Sequence, residues 1–235
     1  IASHLDKGSV SWISFGDRLM EFPTALLGVA LGTVLLPSLS AAASRDQAEY
    51  SVLLDWGLRL TFVLVVPAAI GLGLFSEAMV AILFHYGKFD AMDVQMTSHA
   101  VIAYSVGLAG LVLVKVLAPG FYAKQDIRTP VKIGIGVVIA TQLMNLVFVP
   151  VLGHVGLPLS VGLGATLNAL VLYWGLRRRG MYQPGAGWMP YLLKIALASA
   201  LMAAALFGMN MQFDWIAMAA QPALRIAVVL GVIAV

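Results

Sequence analysis

Three charged residues within five positions, Asp17, Arg18 and Glu21, interrupt an apolar run and are the side chains here best suited to chemistry. They stand in Ser11-Trp12-Ile13-Ser14-Phe15-Gly16-Asp17-Arg18-Leu19-Met20-Glu21-Phe22-Pro23. Inside a bilayer each such residue costs about 2.5–3.5 kcal/mol on insertion scales, so all three are expected to face a protein interior or a watery cavity. On a helix Asp17 and Glu21 are four apart and share a face, which Arg18 borders. Flanking carboxylates would keep the guanidinium charged and hold it in place, and its planar fork suits a bidentate grip on a phosphate. Two readings stand: a charged site lining a cavity, or a self-compensating ion cluster that stitches this helix to a neighbour.

Lys115, Arg59, Gln142 and Asn145 are secondary candidates for the same cavity. Lys115 lies in Leu111-Val112-Leu113-Val114-Lys115-Val116, and it either faces the cavity or snorkels toward the nearer membrane surface. Asp55 and Arg59 form an i,i+4 pair near the start of an apolar run and are expected at the interface. Gln142, Asn145 and Asn168 also fit the role of interhelical hydrogen-bond donors and acceptors. No catalytic constellation is present: no nucleophile with a paired histidine, no phosphate-binding glycine loop and no zinc-protease motif. There is no cysteine, and His4, His85, His99 and His154 show no metal-ligand spacing, so neither a metal nor another cofactor is expected. The chain reads as something other than an enzyme.

The elements that must position these residues are membrane spans. The 235 residues are 61% hydrophobic and 11% charged, with a mean hydropathy of +0.94, where a soluble domain carries about 25% charged residues. A crossing helix needs about 20 apolar residues, which predicts seven spans near 9–40, 50–76, 92–122, 129–152, 156–178, 189–210 and 220–235. Segment 77–86 is too short to cross and is expected to be an interfacial or broken continuation of the second span. The runs are continuously apolar and lack the alternation of barrel strands, so the predicted fold class is an all-α polytopic membrane bundle. Gly28 and Gly32 have the spacing that lets a second helix approach, and Pro67, Pro119 and Pro150 are expected to kink or end their helices. Trp56, Tyr122, Tyr173, Trp174 and Trp188 fall near span ends as belt residues. Arg45, Lys124, Arg128, Lys132, Arg177, Arg178, Arg179 and Lys194 collect in alternate loops, against Lys7, Lys88 and Arg225 in the others. The positive-inside rule makes the first set cytoplasmic and puts residue 1 on the outer side. Basic residues spread in this way are a membrane pattern, and no nucleic-acid partner is expected. The chain starts without methionine and stops inside an apolar run, so a longer protein is expected.

Asp17-Arg18-Leu19-Met20-Glu21-Phe22-Pro23, followed by Gly28-Val29-Ala30-Leu31-Gly32-Thr33-Val34-Leu35-Leu36-Pro37-Ser38, resembles the lipid II flippase family, MurJ or MviN. The likeness continues at Asp55-Trp56-Gly57-Leu58-Arg59-Leu60, at Tyr86-Gly87-Lys88-Phe89 and at Lys115-Val116-Leu117-Ala118-Pro119-Gly120-Phe121-Tyr122. The resemblance implies two six-helix lobes around a central cavity plus two extra helices. Residues 1–180 would be second-lobe helices lacking the first, and 181–235 the extra pair, with the last truncated. It implies movement of undecaprenyl-pyrophosphate-linked disaccharide-pentapeptide from the inner to the outer leaflet of the bacterial inner membrane. Arg18 would be a cavity arginine with Asp17 and Glu21 as acidic neighbours, completed by a first lobe of the same protein. Some relatives bind sodium, which leaves cation coupling open. Competing expectations are a polysaccharide-lipid flippase, a cation-coupled multidrug exporter, a lipid-modifying membrane enzyme and a scaffold for cell-wall machinery.

Overall fold

The computed structural model describes residues 8–213 together with 215, 216, 223 and 227. Among the described residues α-helices run in this order: α1 (Ser9–Arg45), α2 (Gln47–Leu74), α3 (Ser76–Phe84), α4 (Ala91–Ala123), α5 (Arg128–Leu152), α6 (Gly156–Arg178) and α7 (Trp188–Gln212). There is no strand among the described residues. The helices of spanning length match the first six predicted spans, and the seventh, 220–235, lies outside the described residues apart from two positions. Arg128–Arg178 is one continuous apolar stretch of 51 residues, but it is broken at the 3₁₀ turn Gly153–Val155. Gly164 meets Thr141 and Gly156 meets the Phe148 backbone, so α5 and α6 fold back as an antiparallel hairpin, each long enough to cross. The chain is a multi-pass membrane protein.

Polar residues in the short loops start the helices. Asp46 accepts from the Ala48 amide at the head of α2, and Asp90 and Asp93 form a reciprocal capping box at the head of α4. Prolines behave in two ways. α2 runs on through Pro67, whereas α4 and α5 end within four residues of Pro119 and Pro150.

The two ends of the bundle are each tied by contacts between alternate loops. At the basic end Gln47 donates to the Met181 carbonyl, Lys124 donates to Gln47, and Arg179 pairs with Asp126. At the opposite end the Trp12 indole donates to Asp93 at 2.7 Å, and Trp12 packs edge-on against His154. Phe15 there meets Phe84 and Phe89, which docks the short α3 on α1.

α4 is the axis of the fold, packed against α1, α2 and α6. Lipid tails are as apolar as leucine, so close van der Waals approach has to hold these helices together. A Cβ on Gly107 would overlap the Cα of Gly162, and one on Gly110 would overlap the Thr166 backbone. The α4–α6 backbones touch there. On α1 the buried positions Trp12, Gly16, Met20, Thr24, Gly28, Leu31, Leu35, Leu39 and Ala42 recur every three or four residues and form one stripe. Gly28 and Gly32 receive α4 as their spacing predicts: Gly28 takes the Lys115 stem and Gly32 faces the Lys115 carbonyl. That carbonyl has lost its helical donor because Pro119 carries no N–H.

Gly107→Leu is expected to force α4 and α6 apart and to lower stability by about 3 kcal/mol, the upper end for overpacking. Gly134→Ala, with nothing within 4 Å of its added methyl, is expected to stay within about 0.5 kcal/mol of the parent. Thermal unfolding of the two purified variants in detergent checks both, and equal melting temperatures would refute the backbone-contact account.

Candidate functional site

The packed stripe of α1 decides where its charges go. Arg18 is two positions from both Gly16 and Met20, so it stands ~200° around the helix from each, away from the bundle. Arg18, Asp17 and Glu21 are all exposed. Arg18 is nine residues into α1, ~14 Å along its axis from Ser9 at ~1.5 Å per residue. Its guanidinium lies 5.8 Å from the centre of the Phe15 ring. The flanking carboxylates do not clamp it: the ion pairs among the described residues are Arg59–Asp55 and Arg179–Asp126. Asp17, ~100° from Arg18 around the helix, turns to the Tyr104 hydroxyl of α4 instead. Among the described residues no acceptor is bonded to the guanidinium, which faces away from the packed helices.

Lys115 does not snorkel. Its stem lies across Gly28, where any Cβ would collide with the lysine Cδ, and its Nζ donates to the Thr24 carbonyl of α1 at 3.2 Å. Lys115 and Arg18 therefore belong to different faces of α1, one on the seam and one on the open side.

Arg59 is placed elsewhere again. Asp55, 7% exposed, accepts from Arg59 Nε at 2.8 Å, the Tyr182 hydroxyl at 2.5 Å, the Gly185 amide at 3.1 Å and the Trp188 indole at 2.7 Å. Arg59 donates in turn to the Ala186 carbonyl and lies 5.0 Å and 5.3 Å from the Trp188 and Tyr191 rings. The Tyr191 hydroxyl donates to the Arg59 carbonyl. Together these bonds strap the connector 179–187 and the head of α7 to α2. Burial and the facing Asp55 carboxylate raise the Tyr182 pKa, so its hydroxyl remains a donor. Trp188 does more than sit in a belt, and its role was invisible in a scan of span ends because its partner lies 133 residues away.

In the neighbouring loop the Thr129 hydroxyl, with the Thr129 amide and Arg179, holds Asp126 below the usual carboxylate range. A lowered pKa means that this contribution to stability is present above the unfolded-state value and fades as pH falls through the folded one.

Gln142 and Asn145 bond to each other within α5 at 3.3 Å rather than between helices. Asn145 is buried with its carbonyl oxygen unmatched, as is that of Asn168 on α6. The structure therefore gathers Asp17, Arg18 and Glu21 on one stretch of α1 and brings none of Arg59, Gln142 and Asn145 to them.

A family model described as lipid II flippase MurJ matches residues 1–224. The lipid II flippase MurJ of Burkholderia cenocepacia is 58% identical over 228 residues, covering 97% of this chain and 44% of that protein. A probable lipid II flippase MurJ of Vibrio cholerae is 39% identical over 207 residues, covering 88% of this chain and 39% of that protein. A solved structure titled lipid II flippase MurJ, inward closed conformation, superposes with a TM-score of 0.78 at 22% identity. The superposition covers 97% of this chain and 47% of the solved one, and establishes the fold. The chain thus spans less than half the length of these curated relatives.

Asp55→Ala is expected to cost about 3 kcal/mol, as removal of one partner of a buried pair does. Tyr182→Phe, which loses one charge-assisted bond, is expected to cost about 1.5 kcal/mol. Thermal unfolding measures the difference, and limited proteolysis should cut the 179–187 connector faster in Asp55→Ala; unchanged cleavage would show that the strap does not hold it.

Proposed function

Because the chain belongs to the lipid II flippase MurJ family, we propose that it forms the second lobe of a transporter that moves lipid-linked peptidoglycan precursor across the cytoplasmic membrane. The observation that carries this reading is Arg18, a permanently charged fork inside a span, turned off the packed stripe and bound to no carboxylate among the described residues. Intramembrane charges mark substrate pathways unless paired. Lipid II carries a pyrophosphate, and a guanidinium meets phosphate oxygens bidentately. At 4 Å and an effective dielectric near 20 each unit of phosphate charge is attracted by about 4 kcal/mol, enough to select the headgroup from the bilayer.

In this scheme the basic end lies in the cytoplasm and residue 1 in the periplasm of a bacterial inner membrane. A first lobe faces the open side of α1, and the two lobes rock about a midplane site in alternating access. α1, α2, α4 and α6 move as one body because α1, α2 and α6 all pack on α4. α7, which packs on α2 through the Asp55 strap, is a peripheral helix of the lobe. Membrane lipids surround the remaining faces. The transport step makes and breaks no covalent bond and needs no cofactor, so the protein acts as a transporter rather than an enzyme.

In cells depleted of their own lipid II flippase, the complete gene should restore growth while Arg18→Ala, inserted to the same level, should not. Arg18→Lys is expected to rescue weakly, since an ammonium keeps the charge and loses the fork. Growth on Arg18→Ala would remove the arginine from the mechanism, and failure of the wild type would return the polysaccharide-lipid and drug-exporter alternatives.

A further inference from the structure

Phenylalanines from three separate stretches of the chain meet beside Arg18. Phe15 of α1 lies 4.8 Å from Phe84, the last residue of α3, and 5.3 Å from Phe89 in the loop that follows. Phe84 and Phe89 are themselves 6.2 Å apart, so the rings close a triangle. Docking α3 on α1 asks only for apolar bulk, which leucine would supply as well in a bilayer. A ring differs from leucine in carrying a negative π face that attracts a cation. Arg18 places its guanidinium over the Phe15 ring, 5.8 Å from its centre and inside the ~6 Å reach of that attraction. Phe15 and Arg18 stand three positions apart and are neighbours on one side of α1.

The loop that carries Phe89 is fixed at both ends. The chain reverses through Gly87, whose φ of 64° is left-handed, and the Phe89 amide donates to the Tyr86 carbonyl at 3.2 Å. The next residue, Asp90, shares the reciprocal capping box with Asp93 at the head of α4. Asp93 also accepts from the Trp12 indole, one turn of α1 before Phe15. A single stretch, 84–93, therefore grips α1 twice, by a hydrogen bond at Trp12 and by rings at Phe15. A ring touched by two others cannot turn about its χ1 bond without losing both contacts. Phe15 is thus a fixed seat beneath a long side chain that would otherwise spread over many rotamers.

We propose, resting on the reading of Arg18 as the pyrophosphate ligand, that Phe15 is the positioning residue that aims this arginine, and that α3 and the turn 86–89 serve to lock Phe15. An arginine seated before the headgroup arrives has less freedom to lose on binding. Ordering one such side chain at the moment of binding corresponds to about a two- to twelvefold loss of affinity. A carboxylate seat would hold the guanidinium more strongly, but its oxygens would occupy the donors that phosphate needs. The π face restrains the cation and leaves its fork of N–H donors for the ligand.

Binding of inorganic pyrophosphate to the purified full-length protein tests the seat. Mono-, di- and trifluorophenylalanine at position 15 keep the ring nearly the same size and progressively withdraw its negative face. Affinity should fall stepwise along that series, by about fivefold at its end, while the melting temperature holds. Phe15→Tyr keeps the face and should bind like the parent, whereas Phe15→Leu should bind like the trifluoro variant. Phe89→Leu should weaken binding in the parent and add nothing in Phe15→Leu, because the turn acts only through that ring. Affinity that stays flat along the fluorinated series, with Arg18→Ala still weakening binding, would reduce Phe15 to packing and overturn the proposal while Arg18 stands. Pyrophosphate binding indifferent to Arg18→Ala would overturn the reading beneath it. Additive losses in the Phe15→Leu, Phe89→Leu double variant would refute the turn as the lock.

Discussion

Backbone contact between α4 and its neighbours is the constraint on which the rest depends. Hydrocarbon gives helices no solvent-driven reason to associate, so a membrane bundle is held by how closely its backbones approach and by bonds between polar groups that lipid cannot satisfy. Gly107 against Gly162 and Gly110 against Thr166 provide the approach on one side of α4. On the other side α1 lays a single stripe, from Trp12 to Ala42, along the same helix. Once that stripe is committed, the direction of every other residue on α1 follows from the helical repeat. Arg18 is driven to the open face for the same reason that Met20 is driven into the core.

The same constraint separates two cations that composition alone makes equivalent. Lys115 has a long stem, and the missing side chain of Gly28 leaves a channel that guides it to the Thr24 carbonyl. Its charge is spent on the α1–α4 seam. Arg18 has no such channel, rests against Phe15 and keeps its fork available. One cation therefore ties α4 to α1 and the other keeps its fork available. The proposed rocking motion needs both, because a grip on substrate moves the lobe only if the helix that carries it is locked to its neighbours.

Much of this was legible in the sequence, for physical reasons that can be named. Span positions follow from run length against bilayer thickness, and six of the seven were placed to within a few residues. The short α3 was recognised as too short to cross. The charged stretch of α1 stood out because intramembrane charge is costly. What was not legible depended on side-chain direction and on partners far along the chain. The carboxylate clamp on Arg18 is not formed: Asp17, ~100° away around the helix, turns to Tyr104, and Glu21 makes no ion pair among the described residues. Asp55 looked like a local pair with Arg59, yet three of its four partners, Tyr182, Gly185 and Trp188, lie 127 to 133 residues away. Gln142 and Asn145 read as links between helices and instead meet within one.

Asp55 and Arg18 show how differently two charged sites can be built on the same principles. Asp55 is saturated: four donors converge on its carboxylate, and its cation is shared with a carbonyl and two aromatic faces. Such a site exchanges nothing with a passing ligand, because any newcomer would have to replace every one of those bonds. Arg18 is the reverse, a charge with an aromatic rest and no saturating acceptor. Under the proposed function the site has to release what it binds, and release is fast only where the empty state is not much worse solvated than the full one. Phe15 beside the guanidinium supplies that empty state. The head can then leave without crossing a large barrier.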